Sequence, residues 1–133
     1  MAIFQDAQHA STAVDTAIAL LAATMALNAG EAVQPLSVHM GLNSGTALVG
    51  STRFEGVRGA RWTFTASGAV TNLAARLAGI ATPGAILIGP ETARRLGERY
   101  SLQRLGQEQL KNIATPVEIY GLSGHLPPPL PRC

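Results

Sequence analysis

Cysteine is almost missing from this chain: the single one, Cys133, is the last of 133 residues. No internal disulfide can form, and a reducing compartment is the simpler expectation. Charge is scarce as well, at 14% of residues against about a quarter in an ordinary domain. So thin a polar coat suits a surface covered by a partner or by further sequence, and an alanine-rich chain equally. The net charge of +2 gives no clustered basic face, so nucleic acid is not an expected partner. No apolar run reaches about 18 residues, so no membrane segment is expected. Met1-Ala2-Ile3-Phe4 shows no basic stretch ahead of an apolar one, which excludes a signal peptide there. A cytoplasmic protein is expected. His9, His39 and His125 are scattered with no cysteine near them and lack metal-ligand spacing. Ser44 is not flanked as a nucleophile elbow requires. There is no internal repeat.

What is present fits one domain with a real core. Hydrophobic residues make up 47% of the chain, many of them alanine, and aromatics only 5%; helices and small close-packed faces are favoured over a bulky aromatic core. Met1–Phe4 reads as the tail of a strand. Thr12 offers a helix N-cap, with Asp15 placed to complement the free amides. Val14, Ile18, Leu21 and Met25 then recur at helical spacing, with Ala17 and Ala22 beside them, up to a stop near Asn28 and Gly30. From Leu36 the period becomes two: Leu36, Val38, Met40 and Leu42 alternate with smaller or polar residues, the pattern of a half-buried strand. Gly45 marks a turn or bulge, and Thr46–Val49 resumes as a strand.

Gly50–Arg61, with three glycines and three arginines (Arg53, Arg58, Arg61), reads as an exposed excursion. Trp62–Ala66 is rich in β-branched and aromatic residues and reads as a strand. A second helix opens at Ser67-Gly68 and runs to about Gly79, with Val70, Leu73 and Leu77 inward. Thr82-Pro83-Gly84 is a tight turn, and Ala85–Ile88 a fully apolar strand. Pro90 suits the first position of a short helix carrying Thr92 to Leu96. Strands follow at Tyr100–Leu105 and Val117–Leu122, then a proline-dense tail, 123–133, extended and solvated. Helices on one face of a mostly antiparallel sheet make this an α+β fold.

Asn72 and Arg76 are the informative pair. Four residues apart, they share a face of the second helix about a quarter-turn from its apolar stripe. They also lie in its first two turns, where free amides and the helix dipole favour an anion. An asparagine can position a ribose or phosphate oxygen, and a permanently charged arginine can neutralise developing phosphate charge. An ordinary solvated helix face has the same spacing.

The run Thr63-Phe64-Thr65-Ala66-Ser67-Gly68-Ala69-Val70-Thr71-Asn72-Leu73-Ala74-Ala75-Arg76-Leu77 resembles the signature segment of the class III adenylate and guanylate cyclase catalytic domain, in its C-terminal part. Val38–Gly50 is similar to the family's strand–glycine–strand segment. Thr82–Ile88 and Leu110–Tyr120 resemble its last strands. The likeness runs from Met1 to about Leu122 in order, so 1–122 is expected to be a partial cyclase domain with the ferredoxin-like class III fold, lacking its front end, its helices packed on a mostly antiparallel sheet.

The resemblance implies roles residue by residue. Asn72 would orient the ribose in the transition state and Arg76 stabilise charge on the phosphates. Thr65 falls where the family reads the purine, and Lys111 in the region that supplies a phosphate contact; a plain strand threonine and a solvated turn lysine are the alternatives. Family members cyclise ATP or GTP with two Mg or Mn ions held by two aspartates on strands that precede everything matched here. Asp6 comes too late and Asp15 belongs to a helix start, so no metal ligands, and no cofactor of this chain's own, are expected. Gly68-Ala69 stands where the family has Gly-Asp. A chain without the metals loses activation of the 3′ hydroxyl and shielding of the triphosphate, so no cyclase activity is expected of it alone, and ATP or GTP should bind weakly if at all. The expected partner is a second copy or another cyclase domain, with Arg53, Arg58 and Arg61 on an arm reaching across the dimer. A non-catalytic regulatory or dimerisation module with the same fold is the rival expectation.

Overall fold

Ala85, Ile86, Leu87 and Ile88 are all 5% exposed or less, and the sheet is organised around them. The computed structural model describes residues 1–30 and 34–122. The order of elements is α1 (His9–Ala29), β1 (Met40–Leu42), β2 (Leu48–Gly56), β3 (Gly59–Ser67), α2 (Ala69–Ile80), β4 (Ile86–Ile88), α3 (Pro90–Leu96), β5 (Leu102–Glu108) and β6 (Val117–Leu122). Four strands form one sheet in the order β1-β4-β6-β5, and β2 pairs with β3 in a second. β1 runs parallel to β4; every other pairing is antiparallel.

The helices do not lie on one face. Ile86 and Ile88 pack with Ala10, Val14, Ala17 and Leu21 of α1, Leu96 of α3 and Leu122 of β6. Leu87, on the opposite face of the same strand, packs with Leu77 of α2 and with Leu110, Val117 and Ile119. Side chains alternate across a strand, so α1 and α3 cover one face and α2 the other. The cause is visible in the residues: an uninterrupted apolar strand is one buried on both sides. Gly41 of β1 lies beneath α2, where a Cβ would fall 2.4 Å from the Ala78 nitrogen and 2.5 Å from the Ala74 oxygen. Only the absent side chain lets that helix seat on the sheet.

Other departures have local causes. Met1–Phe4 forms no strand. α1 begins at His9 rather than beyond Thr12, and its N-cap, Gln8, makes no side-chain cap bond. The turn into it is closed earlier, where Asp6 accepts the Gln8 amide through Oδ1 at 2.8 Å and the His9 amide through its carbonyl at 3.1 Å. Asp15, expected at a helix start, instead accepts the hydroxyl of Tyr100. Met25 and Ala22 of the expected stripe face solvent. Leu36 stays out of the strand because Asn28 takes both its backbone groups, at 2.8 Å and 2.7 Å. Gly50–Arg61 is exposed but regular: it is most of the β2–β3 hairpin, closed at Val57-Arg58. β5 starts at Leu102, two residues late, and carries an irregularity between Arg104 and Gly106.

α1 also corrects the expectation about membranes. It is 21 residues long with a window of mean hydropathy 1.6, long and apolar enough by length and composition to cross a bilayer. Ser11, Thr12, Asp15, Thr16 and Thr24 interrupt the apolar run, while the alanines, leucines and isoleucine between them keep the average high. In this structure one side of it packs on the sheet, with Val14 fully buried, while only 17% of the apolar window is buried. The proline-dense segment 123–133, with His125 and Cys133, lies outside the described residues.

Candidate functional site

β3 passes into α2 through Gly68, whose φ of 129° and ψ of −178° belong to a region nearly closed to other residues. That one residue lets strand become helix without a loop. Thr65, two residues from the end of β3, is half-buried and pairs with Gly50 of β2. Asn72 lies in the first turn of α2, and its amide donates to the Gly68 carbonyl at 3.1 Å, opening the helical ladder. Arg76 follows one turn later. Leu77 beside it is fully buried and packs with Leu87 of β4, which anchors the helix and directs its opposite side outward.

Asn72 is exposed and Arg76 half-buried. The ion pairs among the described residues use Arg53, Arg94, Arg95 and Arg104; Arg76 enters none of them. Lys111 is exposed in the β5–β6 connection, beside Asn112 in the left-handed conformation at φ 63°. Its neighbours Leu110 and Ile113 pack with Leu77, so this connection lies on the α2 side of the sheet. The structure therefore brings Asn72, Arg76 and Lys111 to one side of the sheet, with Thr65 on the strand leading into that helix. None of the four lines the groove at the start of α2.

The cavity at this end of α2 is a shallow groove of about 460 Å³, lined by Asn43, Ser44, Thr46, Ala69, Val70, Leu73, Pro90 and Glu91. Neither Asn72 nor Arg76 lines it. Of its lining, the sequence marks Ala69, Val70 and Leu73 for their place on α2, Pro90 for opening α3 and Thr46 for opening a strand, and Ser44 only as a failed nucleophile. The carboxylate of Glu91 accepts from Arg94 and, at 3.0 Å, from Arg95 Nε. Those bonds, Arg94 first, hold it below the ordinary carboxylate range. His39, expected on the polar side of its strand, is exposed and its Nδ1 lies 2.7 Å from the Ala78 carbonyl in the last turns of α2.

Among the described residues no three His, Cys, Asp or Glu side chains cluster as metal ligands. Three carboxylates are engaged apart from one another: Asp15 by Tyr100, Glu91 by Arg94 and Arg95, Glu118 by Arg104 and Tyr120. Asp15 stands on α1, across the sheet from α2.

Residues 2–124 match the family model described as the adenylate and guanylate cyclase catalytic domain. The structure is similar to that of the adenylyl cyclase CyaB from P. aeruginosa, with a TM-score of 0.75 and 30% identity over 89% of this chain and 60% of that one. It is also similar to the guanylyl cyclase Cya2, with a TM-score of 0.77 and 27% identity over 96% of this chain and 64% of that one. An uncharacterized protein of Rhizobium meliloti strain 1021 is 28% identical over 116 residues, which are 87% of this chain and 11% of that protein. The chain thus spans about three-fifths of the cyclase structures it matches.

Proposed function

The chain belongs to the adenylate and guanylate cyclase catalytic domain family, and from that premise we propose that it contributes the Asn72/Arg76 half of a cyclase site and no metal-binding half. The observation that carries this is α2 itself: its first two turns hold Asn72 and Arg76 on one face, and Arg76 is free of every ion pair among the described residues. Asn72 would orient the ribose, and Arg76 would neutralise charge growing on the phosphates of ATP or GTP. Thr65 would meet the purine and Lys111 a phosphate. The carboxylate geometry described above supports inactivity of the chain by itself.

The site would then be completed at a boundary between two cyclase domains in the cytoplasm, in the service of cyclic-nucleotide signalling. The β2–β3 hairpin supports association, since Trp62 and Phe64 lie 65% and 56% exposed on it, and it is read here as an arm across a homodimer or a mixed pair. To test the function, the chain is mixed with a metal-competent cyclase subunit whose own Asn/Arg pair has been disabled. Recovery of cyclic-nucleotide production is expected; none would end the proposal.

A second reading, a regulatory or dimerisation module without catalysis, draws on the absence of any acidic residue in the first turn of α2 and on a groove that neither Asn72 nor Arg76 enters. Nucleotide titration separates the two. Binding of ATP or GTP that Arg76→Ala abolishes supports the first, and no binding together with no rescue supports the second.

A further inference from the structure

Three consecutive residues after β1 reach both helices that open at that end of the sheet. The Asn43 carboxamide donates through Nδ2 to the Val70 carbonyl in the first turn of α2, at 3.1 Å across 27 residues of sequence. Its Oδ1 lies so close to buried Gly89, the N-cap of α3, that a Cβ there would fall 2.5 Å from it. Ser44 Oγ shares a 2.7 Å hydrogen bond with Thr92 Oγ1, and Thr92 is 1% exposed. A Cβ on Gly45 would stand 3.1 Å from Val70 Cγ2. The α2 N-terminus has no side-chain cap of its own, so no capping hydrogen bond from the helix itself holds its first turn. Val70 stands two residues before Asn72.

We propose that Asn43 is a positioning residue that sets the place of the first turn of α2, and with it Asn72, against β1 and α3. The Val70 carbonyl already serves the helical ladder, so the amide of Asn43 is a second donor to it, drawn from the sheet. A groove-filling role would need only the shape of this side chain; a positioning role needs its N–H. Asparagine and aspartate have nearly the same shape, and aspartate brings an oxygen where the donor was. The part of this inference that concerns turnover rests on the proposed function; the part that concerns the helix does not.

Asn43→Asp is therefore the informative variant, read first by amide hydrogen exchange. At pH 7 it should lower protection of the amides of Asn72 to Ala74 about tenfold, the scale of one lost net hydrogen bond, while the β4 and β6 amides keep theirs. Wild-type protection in the first turn of α2 would overturn the proposal. Should that variant not fold, Asn43→Ala, which removes the donor without adding charge, is read in the same way. Failure of both to fold would also overturn it, since Asn43 would then hold the whole domain rather than one turn. In the mixing assay the Asp variant should lower kcat with KM for the nucleotide little changed. If the wild-type chain rescues nothing, the functional proposal has failed while the exchange result still decides the role of Asn43.

Discussion

β4 and the β2–β3 hairpin are both written in strand-forming residues, yet they meet opposite fates. Ile86, Leu87 and Ile88 lie at 2%, 5% and 0% exposure, whereas Phe54, Trp62 and Phe64 stand more than half exposed. β-Branched and aromatic residues select the extended backbone in both places. Burial is decided by something else, whether helices cover the strand on each face. The central strand has α1 and α3 on one side and α2 on the other; the hairpin has mainly itself. Arg53 lies over the ring of Trp62 at 6.0 Å from its centroid and pairs with Glu55, so the exposed aromatic face is at least partly screened by its own charges. The stability of the domain should therefore reside almost wholly in the first region, and its capacity for association in the second.

That division can be broken by substitution. Leu77→Ala empties a fully buried position between α2 and the sheet and should cost about 3 kcal/mol in urea unfolding, as large-to-small changes in closed cores do. Gly41→Ala should cost about 2 kcal/mol through overpacking, because the new methyl meets helix backbone rather than a side chain that can turn aside. Tyr100→Phe removes the bond that ties the approach to β5 to α1 and should cost about 1 kcal/mol. Its pH dependence has a definite sign. The bond to Asp15 holds the Tyr100 hydroxyl above its ordinary value of 10.0, so the contribution is whole below that value and fades as pH rises through the raised one. Unfolding midpoints of the phenylalanine variant should thus show a shallower alkaline decline than wild type. Trp62→Ala with Phe64→Ala should change unfolding of the isolated chain by less than about 0.5 kcal/mol, while moving its sedimentation from dimer towards monomer. A loss of several kcal/mol there would erase the distinction between the two regions.

Much of the first region was legible in the sequence. The period of α1, the apolar run of β4, the proline that opens α3 and the bounds of β6 are all local signals. What the sequence hid was tertiary. An alternating segment could not disclose that Asn28 would claim the backbone of Leu36 and shorten β1. The early start of α1 is a different case, since Asp6 closes the turn through bonds only two and three residues on, a local signal that Thr12 obscured. Fully apolar Ala85–Ile88 did carry the sign of two covered faces, although the element order alone suggested one. At the candidate site, Asn72 and Arg76 were picked out by their spacing and the resemblance around them, their role being a proposal. Asn43, Gly89 and Thr92 were not, since an asparagine in an alternating strand and a glycine before a proline are common, and only contact across the fold gives them meaning.

The central claim concerns one guanidinium and the helix that presents it. Its most direct test is cyclic-nucleotide output from a mixture of this chain with a metal-competent subunit lacking its own Asn/Arg pair, run beside the Arg76→Ala chain. Output well above background with the wild-type chain, falling to background with the variant at equal association, is the predicted result. Equal output from both chains would contradict the account.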